Sequence, residues 1–172
     1  MDKNTAFIMI GPPGSGKTTI AKGMLESFDS IDYISRDEIR FGLMEEGDEY
    51  FANEYQVYRR FTYEILKSLN EGRNVIIDAT HLNRASRQKL FNAIHIDKNK
   101  TKVVGLWMRT PLEVCIERNE TRKGTRAYVP EPNLRKMFFR MEAPSYTECN
   151  HIFDTIYLIH ENGIITQLQE NK

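Results

Sequence analysis

The sequence predicts a three-layer α/β fold, in which helices cover both faces of a mostly parallel sheet of five strands. Short runs rich in Ile, Val and Phe alternate along the chain with longer segments of helical periodicity. Most positions within a run are apolar, which is typical of parallel strands that are buried on both faces. The predicted strands are residues 6–10, 32–35, 74–78, 102–108 and 153–159. A turn-like stretch at 160–163 would bring residues 164–169 back as an additional antiparallel edge strand.

Capping signals and an apolar stripe predict several of the helices. Ser35 and Glu38 form an S-x-x-E capping box, so one helix is expected to begin just after Ser35. Thr110, Pro111 and Glu113 form a second capping box, with proline at the first helical position. A third helix carries an aromatic and aliphatic stripe that we interpret as core packing. Its members are Phe51, Tyr55, Tyr58, Phe61, Ile65 and Leu69.

The composition is that of an ordinary globular domain. With 172 residues, 40% of them hydrophobic, the chain is long enough for a single domain over residues 1–172 with a core of its own. The 24 Lys and Arg residues balance the 24 Asp and Glu residues, which argues against coating nucleic acid by bulk charge. Two distant cysteines, Cys115 and Cys149, suit neither a disulfide framework nor a zinc site. The N-terminal apolar run is too short for a membrane span and has no signal-peptide pattern, so a cytoplasmic location is expected.

The strongest motif is the stretch Gly-Pro-Pro-Gly-Ser-Gly-Lys-Thr at residues 11–18, which fits G-x-x-x-x-G-K-[ST] in full. An apolar strand precedes it and a helix-forming segment follows it, as the motif requires. Glycines allow backbone N–H groups to converge on phosphate oxygens, and the following helix adds its N-terminal dipole. The motif predicts a P-loop NTPase with strand order 2-3-1-4-5, and ATP with Mg²⁺ as its cofactors.

Two side chains of this loop are expected to act directly on the nucleotide. Lys17 should bridge the β- and γ-phosphates, and the hydroxyl of Thr18 should bind Mg²⁺. The loop residues expected to bind the nucleotide are Gly11, Pro13, Gly14, Ser15, Gly16, Lys17, Thr18 and Thr19. No N-K-x-D motif that would read guanine follows, because residues 99–102 lack the aspartate. ATP is therefore favoured over GTP.

Two carboxylates are predicted at the same edge of the sheet as this loop. Asp78 ends the strand 74–78, where it is expected to hold Mg²⁺ through a water or to orient an acceptor, unless it only caps the next turn. Asp37 and Arg40 are three residues apart and share a helix face. Asp37 is positioned to accept the proton of an acceptor hydroxyl, and Arg40 to bind an anionic group. The spacing alone fits equally well a first-turn acid that stabilises the helix dipole beside a solvated arginine.

A basic cluster occupies residues 118–140, which we call the lid. Its cationic members are Arg118, Arg122, Lys123, Arg126, Arg135, Lys136 and Arg140. Gly124 and Thr125 interrupt the cluster and predict a mobile loop between two helices. Such a lid could close over the triphosphate and neutralise charge in the transition state. A solvated basic face is the plainer interpretation of the same residues.

Taken together, these motifs resemble the 5′-hydroxyl polynucleotide kinases, the kinase module of phage and bacterial end-healing enzymes. The resemblance covers most of residues 5–145. Many enzymes share the glycine loop, but the combination of R-D-x-x-R with a later R-N…G-T-[KR]…V-P pattern is far more specific. The matching stretches are residues 11–19, 35–40, 48–50, 78–83 with Arg87, 118–119, 122–126 and 129–130.

The resemblance implies an ATP-dependent kinase that transfers the γ-phosphate to the 5′-hydroxyl of RNA, DNA or both, with nucleic acid 5′ ends as its partners. It implies that Asp37 is the general base toward the 5′-hydroxyl. It also implies that Arg40 binds the 3′-phosphate of the acceptor, and it places Asp78 and Arg87 on the substrate side.

The lid and the third strand depart from the family pattern. A lid arginine clamps the donor phosphates in the family, and Arg122 is its best match, although one extra lid residue leaves Lys123 and Arg126 as alternatives. The strand-end carboxylate is Asp78, whereas some relatives carry it at the position of Ala79, which faces the other way on a strand. The chain also lacks the D-x-D-G-T signature of a phosphatase module, so kinase activity without 3′-phosphatase activity is expected.

Two other interpretations of the sequence stay open. A small-molecule kinase for a nucleoside, sugar or antibiotic hydroxyl is compatible with the same fold, and the acidic stretch 45–49 near the acceptor side is awkward for a polyanion. An NTP-driven switch or binding module without phosphoryl transfer is the alternative of another class. A carboxylate positioned as a base at Asp37 argues against the switch, which needs only to position a water molecule.

Overall fold

The structure, a computed structural model, describes residues 3–28 and 30–169. Its strands are β1 (Asn4–Ile10), β2 (Ile31–Ser35), β3 (Asn74–Asp78), β4 (Thr101–Arg109), β5 (Thr155–His160) and β6 (Ile165–Gln167). Its helices are α1 (Lys17–Ser27), α2 (Arg36–Leu43), α3 (Glu54–Asn70), α4 (Arg84–Ile94), α5 (Leu112–Glu120) and α6 (Glu131–Phe139). Within residues 3–28 and 30–169, no helix combines the length and the apolar character that a membrane span needs.

The strands form one sheet in the order β2-β3-β1-β4-β5-β6. Strands β1 to β5 pair in parallel, and β6 pairs antiparallel with β5. The predicted α/β class and the order 2-3-1-4-5 are confirmed, and so is the additional edge strand. The predicted count of five strands is wrong, since the sheet within the described residues has six. The sixth forms because a turn at Gly163, whose φ is +82°, returns residues 165–167 against β5.

The sheet is buried on both faces, which produces the three layers. On one face, Ile8 of β1 lies in an apolar cluster with Phe61 of α3 and Leu90 of α4. On the other face, Met9 lies in a second cluster with Ala21 of α1. Successive residues of β1 therefore point to opposite apolar layers, as the uniformly apolar run predicts. Because the strands are parallel, the segments that follow β1, β2 and β3 meet at one edge of the sheet.

Two helix starts show how the capping signals work in the fold. Ser35 accepts a hydrogen bond from the amide of Glu38 at 3.3 Å, so the predicted start of α2 is confirmed. The second predicted capping box is wrong, because α5 begins after Pro111 without a side-chain cap. The hydroxyl of Thr110 instead donates to the carbonyl oxygen of Ser15 at 2.8 Å, which ties this corner to the phosphate loop.

The apolar stripe predicted for α3 is buried only in part. Phe61 and Ile65 belong to the core. Phe51 precedes the helix and is 69% exposed, and Tyr55 in the first turn is 70% exposed. The interpretation of these two aromatic side chains as core is therefore wrong, because the buried face of α3 begins only at Val57.

Candidate active site

The phosphate loop joins β1 to α1 through two glycines in the left-handed region. The φ angle is +77° at Gly14 and +97° at Gly16, values that other residues rarely adopt. A Cβ atom at Gly14 would also lie 2.3 Å from the carbonyl oxygen of Cys115, so the loop passes against α5 with no room for a side chain. Gly16 directly precedes α1, whose first-turn amides have no acceptor within the helix and suit an anion.

The loop also offers polar groups to a triphosphate. Ser15 is buried, and its hydroxyl has no hydrogen-bond partner within residues 3–28 and 30–169. A buried hydroxyl without a partner, next to free helix amides, fits a bound phosphate oxygen. Thr18 and Thr19 are exposed at the start of α1, and Pro13 is half-buried. The residues predicted to bind the nucleotide thus present a surface that an anion can occupy.

Lys17 is folded over the loop from which it comes. Its ammonium group donates to the carbonyl oxygens of Gly11 and Pro12, each at 2.9 Å. Burial lowers the pKa of Lys17, while the carboxylates of Asp78 and Asp37 act in the opposite direction. The structure therefore brings the lysine and both predicted carboxylates close enough for their charges to interact.

Asp78 is buried at the end of β3, and a tyrosine holds it. The hydroxyl of Tyr33 on the neighbouring strand β2 donates to Oδ2 of Asp78 at 2.6 Å. Burial raises the pKa of Asp78, and the charge of Lys17 and the hydrogen bond from Tyr33 oppose this shift. Sequence analysis did not identify Tyr33, because only the parallel register of β2 and β3, which pairs Ser35 with Asp78, brings the two side chains together.

The predicted binding of Mg²⁺ by Thr18 and Asp78 stays a prediction, and the chemistry of the two side chains suits it. Hydroxyl and carboxylate oxygens are ligands that Mg²⁺ prefers. In the described stretches of the chain, no group of three or more His, Cys, Asp or Glu side chains could bind a metal by itself. The ion would therefore take its remaining ligands from phosphate oxygens and water, as is usual for Mg²⁺ bound with a nucleotide.

Asp37 stands at the start of α2 with 61% of its side chain exposed. Arg40 forms an ion pair with its Oδ1, and the hydroxyl of Tyr50 donates to the same oxygen at 2.7 Å. Among the residues that the structure describes, none donates to Oδ2. One carboxylate oxygen is thus anchored and the other is available to a ligand. The prediction that Asp37 and Arg40 share one helix face is confirmed.

Arg40 is surrounded by carboxylates and is only 4% exposed. Its Nη2 donates to Glu54 at 2.9 Å, and its Nη1 donates to Asp37 and, at 2.8 Å, to Tyr50. Glu54, on α3, also pairs with Arg36. The predicted contact of Arg40 with a 3′-phosphate stays a prediction, since its guanidinium group here orients Asp37. The matching stretch 48–50 includes Tyr50 but gave it no individual role, and Glu54 was not predicted; both reach this network through the path of the segment between α2 and α3.

The lid consists of the end of α5, the loop 121–130 and α6, and hydrogen bonds join the two ends of its loop. Asn119 exchanges two hydrogen bonds with the backbone of Val129, at 2.7 Å and 3.1 Å, and so holds the base of the loop together. Arg118 lies beside the phosphate loop, with Nη1 3.6 Å from the position that a Cβ at Gly16 would take. It also forms an ion pair with Glu161 at 3.7 Å. Sequence analysis placed Arg118 in the basic cluster but gave it no individual role.

Among the three predicted phosphate clamps, the structure distinguishes Arg122. Its side chain is half-buried, and after burial and the two carboxylates its charge is the next influence on the pKa of Lys17, which it lowers. Lys123 is exposed and lies 3.9 Å from Glu120. Arg126 is also exposed. Of these three candidates, Arg122 is therefore the one whose charge reaches Lys17 in the phosphate loop.

Arg87 is buried away from the cleft, so the prediction that it lies on the substrate side is wrong. The side chain is 0% exposed and forms a bidentate ion pair with the buried Glu148, at 2.5 Å and 2.8 Å. Its Nη1 also donates to the carbonyl oxygens of His81 and Glu142. The whole guanidinium group is therefore used to join α4 to the segment that follows α6.

Because of this pairing, we expect Arg87→Met to lower the free energy of unfolding by about 3–5 kcal/mol, since it leaves Glu148 buried without a partner. The double variant Arg87→Met with Glu148→Leu should recover a large part of that loss. Urea unfolding of both variants measures the difference. A single variant as stable as the wild type would show that Arg87 is free for another role.

His81, in the segment after β3, is a buried and neutral histidine. Its Nδ1 lies 2.9 Å from the carbonyl oxygen of Met9 and donates to it. The pKa of His81 is lowered from 6.5 to about 4, chiefly by burial and also by the nearby charges of Arg36, Lys17 and Arg87, while the hydrogen bond to Met9 opposes this shift. The folded chain therefore binds this proton only at a lower pH than the unfolded chain does.

This shift predicts a loss of stability on acidification. As the pH falls from about 6.5 to about 4, His81 becomes protonated in the unfolded chain but stays neutral in the folded chain. The free energy of unfolding therefore decreases by up to ~3 kcal/mol. The variant His81→Asn keeps a donor and tolerates the local φ of +44°. Urea unfolding at pH 7 and pH 5 should show a smaller decrease for this variant, and equal decreases would contradict the account.

Comparison with known proteins extends this description. The family described as AAA domain (AAA_33) matches residues 7–144, a range that includes the phosphate loop, Asp37, Asp78 and the lid. No curated protein sequence matches the chain.

Solved structures with a similar fold include a chain of the Pnkp1/Rnl/Hen1 RNA repair complex, with 22% identity and a TM-score of 0.71 over 81% of this chain and 44% of that one. A fungal RNA kinase has 15% identity and a TM-score of 0.62 over 93% of this chain and 75% of that one. A sugar kinase from Janibacter sp. HTCC2649 has 21% identity and a TM-score of 0.63 over 92% of this chain and 86% of that one. The similarity to these structures establishes the P-loop kinase fold. This chain spans less than half of the length of the RNA repair chain.

Proposed function

This chain belongs to the AAA domain family AAA_33, and on that premise we propose that it is an ATP-dependent kinase that phosphorylates the 5′-hydroxyl of a polynucleotide. The observation that carries the proposal is the carboxylate of Asp37, which is exposed, anchored through one oxygen and close enough to Lys17 to influence its pKa. A nucleotide switch has no use for such a group, because it needs only to position a water molecule.

The donor half of the proposed reaction uses the phosphate loop and the lid. The first-turn amides of α1 and Lys17 hold the β- and γ-phosphates of ATP. Mg²⁺, held by Thr18 and Asp78, would withdraw negative charge from the transferring phosphoryl group. Arg122 closes from the lid and adds positive charge on the opposite side.

The acceptor half uses Asp37. As the 5′-oxygen forms its bond to the γ-phosphorus, Oδ2 of Asp37 accepts the hydroxyl proton. The bond between the γ-phosphorus and the bridging oxygen breaks at the same time, which leaves ADP and a 5′-phosphorylated end. Asp37 then releases its proton to solvent. Arg40 and Tyr50 keep the carboxylate in one orientation, so little reorganisation is needed as the proton moves.

A polynucleotide acceptor is supported by the residue pattern and by two of the similar structures. The R-D-x-x-R box and the R-N…G-T-[KR]…V-P pattern occur in this chain as they do in the 5′-hydroxyl polynucleotide kinases. The RNA repair complex and the fungal RNA kinase are named for work on RNA.

A small-molecule kinase is the second candidate, and a specific observation favours it. The acidic stretch 45–49 directly precedes Tyr50, and its glutamates are exposed beside the acceptor side. Such charges repel a phosphodiester backbone but not a neutral sugar or nucleoside. One of the similar structures is named a sugar kinase.

A transfer assay separates these candidates. The chain is incubated with γ-labelled ATP, Mg²⁺ and 5′-hydroxyl RNA and DNA oligonucleotides, with identical oligonucleotides that already carry a 5′-phosphate as the blocked control. We expect label on the 5′ end of the 5′-hydroxyl oligonucleotides and none on the 5′-phosphorylated controls. Label on a nucleoside or sugar from a parallel panel, with none on oligonucleotides, would overturn the polynucleotide proposal in favour of the second candidate. Free phosphate alone would overturn both.

The lid assignment gives a further prediction. Arg122→Ala should raise the KM for ATP and slow transfer at least about tenfold, because it removes a lid cation whose charge reaches the phosphate loop. Lys123→Ala is the matched control, since this exposed neighbour lies by Glu120, and it should stay within about twofold of the wild type. Steady-state kinetics over a range of ATP concentrations measures both. The reverse ranking would move the clamp to Lys123.

A further inference from the structure

Two aromatic rings are exposed on the acceptor side of the site. Phe51 and Tyr55 have 69% and 70% of their surface open. A guanidinium group backs each ring: Cζ of Arg40 lies 5.8 Å from the ring centroid of Phe51, and Cζ of Arg59 lies 5.7 Å from that of Tyr55. Rings that are supported on one side and open elsewhere have the form of the platforms on which nucleobases stack.

Phe51 is linked to the proposed general base, Asp37, through the side chain of Tyr50. Its ring packs edge-to-face on Tyr50, with the centroids 4.8 Å apart and an angle of 88° between the planes. The hydroxyl of Tyr50 donates to Oδ1 of Asp37 at 2.7 Å. Phe51 is therefore separated from the reacting carboxylate by one aromatic side chain. A nucleoside with its 5′-hydroxyl at Asp37 has its base one sugar away, which is a comparable separation.

The acidic stretch that precedes Phe51 favours an uncharged base over a phosphate as the group that the ring binds. Acidic residues occupy positions 45, 46, 48 and 49, just before Tyr50 and Phe51. They oppose the approach of a phosphodiester backbone or an anionic lipid surface. A nucleobase is planar and uncharged, and every base has a π face that an aromatic ring can stack on.

We propose that the 5′-terminal nucleobase of the acceptor stacks on Phe51. This inference rests on the proposed transfer to polynucleotide 5′ ends. It explains how a strand end can bind next to an acidic stretch: the protein holds the terminal nucleoside by its base and its hydroxyl, and the rest of the strand stays in solvent. Binding of this kind is tolerant of base identity.

The test combines a protein change with a substrate change. The value of kcat/KM is measured for a 5′-hydroxyl oligonucleotide and for the same oligonucleotide with an abasic sugar at its 5′ terminus, using the wild type and Phe51→Ala. Stacking on Phe51 predicts that Phe51→Ala lowers kcat/KM for the intact oligonucleotide at least about fivefold, mainly through KM. For the wild type, kcat/KM should be lower with the abasic oligonucleotide than with the intact one. With the abasic oligonucleotide, Phe51→Ala should have the same kcat/KM as the wild type.

Two further variants separate stacking from a general effect of mutation. Phe51→Trp keeps a ring and should retain or improve kcat/KM for the intact oligonucleotide. Tyr63→Ala removes another exposed aromatic side chain, on α3, and should change neither substrate. Equal losses on both oligonucleotides, or no loss on either, would overturn the role of Phe51 while leaving the kinase proposal in place. Absence of label from every oligonucleotide with the wild type would overturn the kinase proposal itself, and the stacking inference with it.

Discussion

Asp37→Asn is expected to lower the rate of phosphoryl transfer by about 10²–10⁴-fold while leaving the fold and the affinity for ATP unchanged. The amide keeps the shape of the side chain and can still accept hydrogen bonds from Arg40 and Tyr50, which bind Oδ1 in the wild type. It cannot accept the proton of the acceptor hydroxyl. The loss should therefore appear in kcat, with little change in the KM of either substrate.

Glu38→Gln is the matched control for this variant. Glu38 is the next residue on α2, is exposed, and undergoes the same change of charge. Its variant should retain wild-type kcat, because its side chain is not in the network around Asp37. Rates and ATP affinity are measured for both variants. A kcat for Asp37→Asn within about threefold of the wild type would show that another group takes the proton.

Lys17→Ala is expected to lower transfer by at least about 10²–10³-fold and to weaken ATP binding. The ammonium group of Lys17 lies in the loop that we propose holds the phosphates, and no other side chain of residues 11–18 carries a positive charge. Burial of this group lowers its pKa, which means that the folded state gains nothing from burying it charged. The variant should therefore fold normally.

The control for the loop is Lys22→Ala, which removes an exposed lysine from the same helix, α1. It should leave transfer and ATP affinity within about twofold of the wild type. Thermal unfolding confirms that both variants are folded, and calorimetric titration measures ATP binding. If Lys17→Ala bound and used ATP as the wild type does, the loop would not be the donor site.

The features that follow from local sequence could be predicted, and they include the geometry of the glycine loop. Uniformly apolar runs predicted the parallel sheet, and the glycine motif predicted both the strand order and the loop, whose left-handed Gly14 and Gly16 leave little choice of residue. The spacing of Asp37 and Arg40 predicted their shared face. Each of these signals lies within a few residues of the structure that it specifies.

The features that depend on register, on chain path or on distant partners could not be predicted. Tyr33 reaches Asp78 only through the pairing of β2 with β3. Arg87 matched a family motif but finds its partner in Glu148, 61 residues later, and the pair is buried between elements. Phe51 fits the helical stripe of α3, yet lies before the helix begins, so its exposure was not visible in the spacing.

A crystal structure of the chain with a non-hydrolysable ATP analogue, Mg²⁺ and a short 5′-hydroxyl oligonucleotide would show whether Asp37 faces the acceptor hydroxyl. The expected result is a hydrogen bond between Oδ2 of Asp37 and the 5′-oxygen, with that oxygen in line with the γ-phosphorus and the bridging oxygen. A complex in which the carboxylate of Asp37 faces away from a bound acceptor hydroxyl would contradict the account.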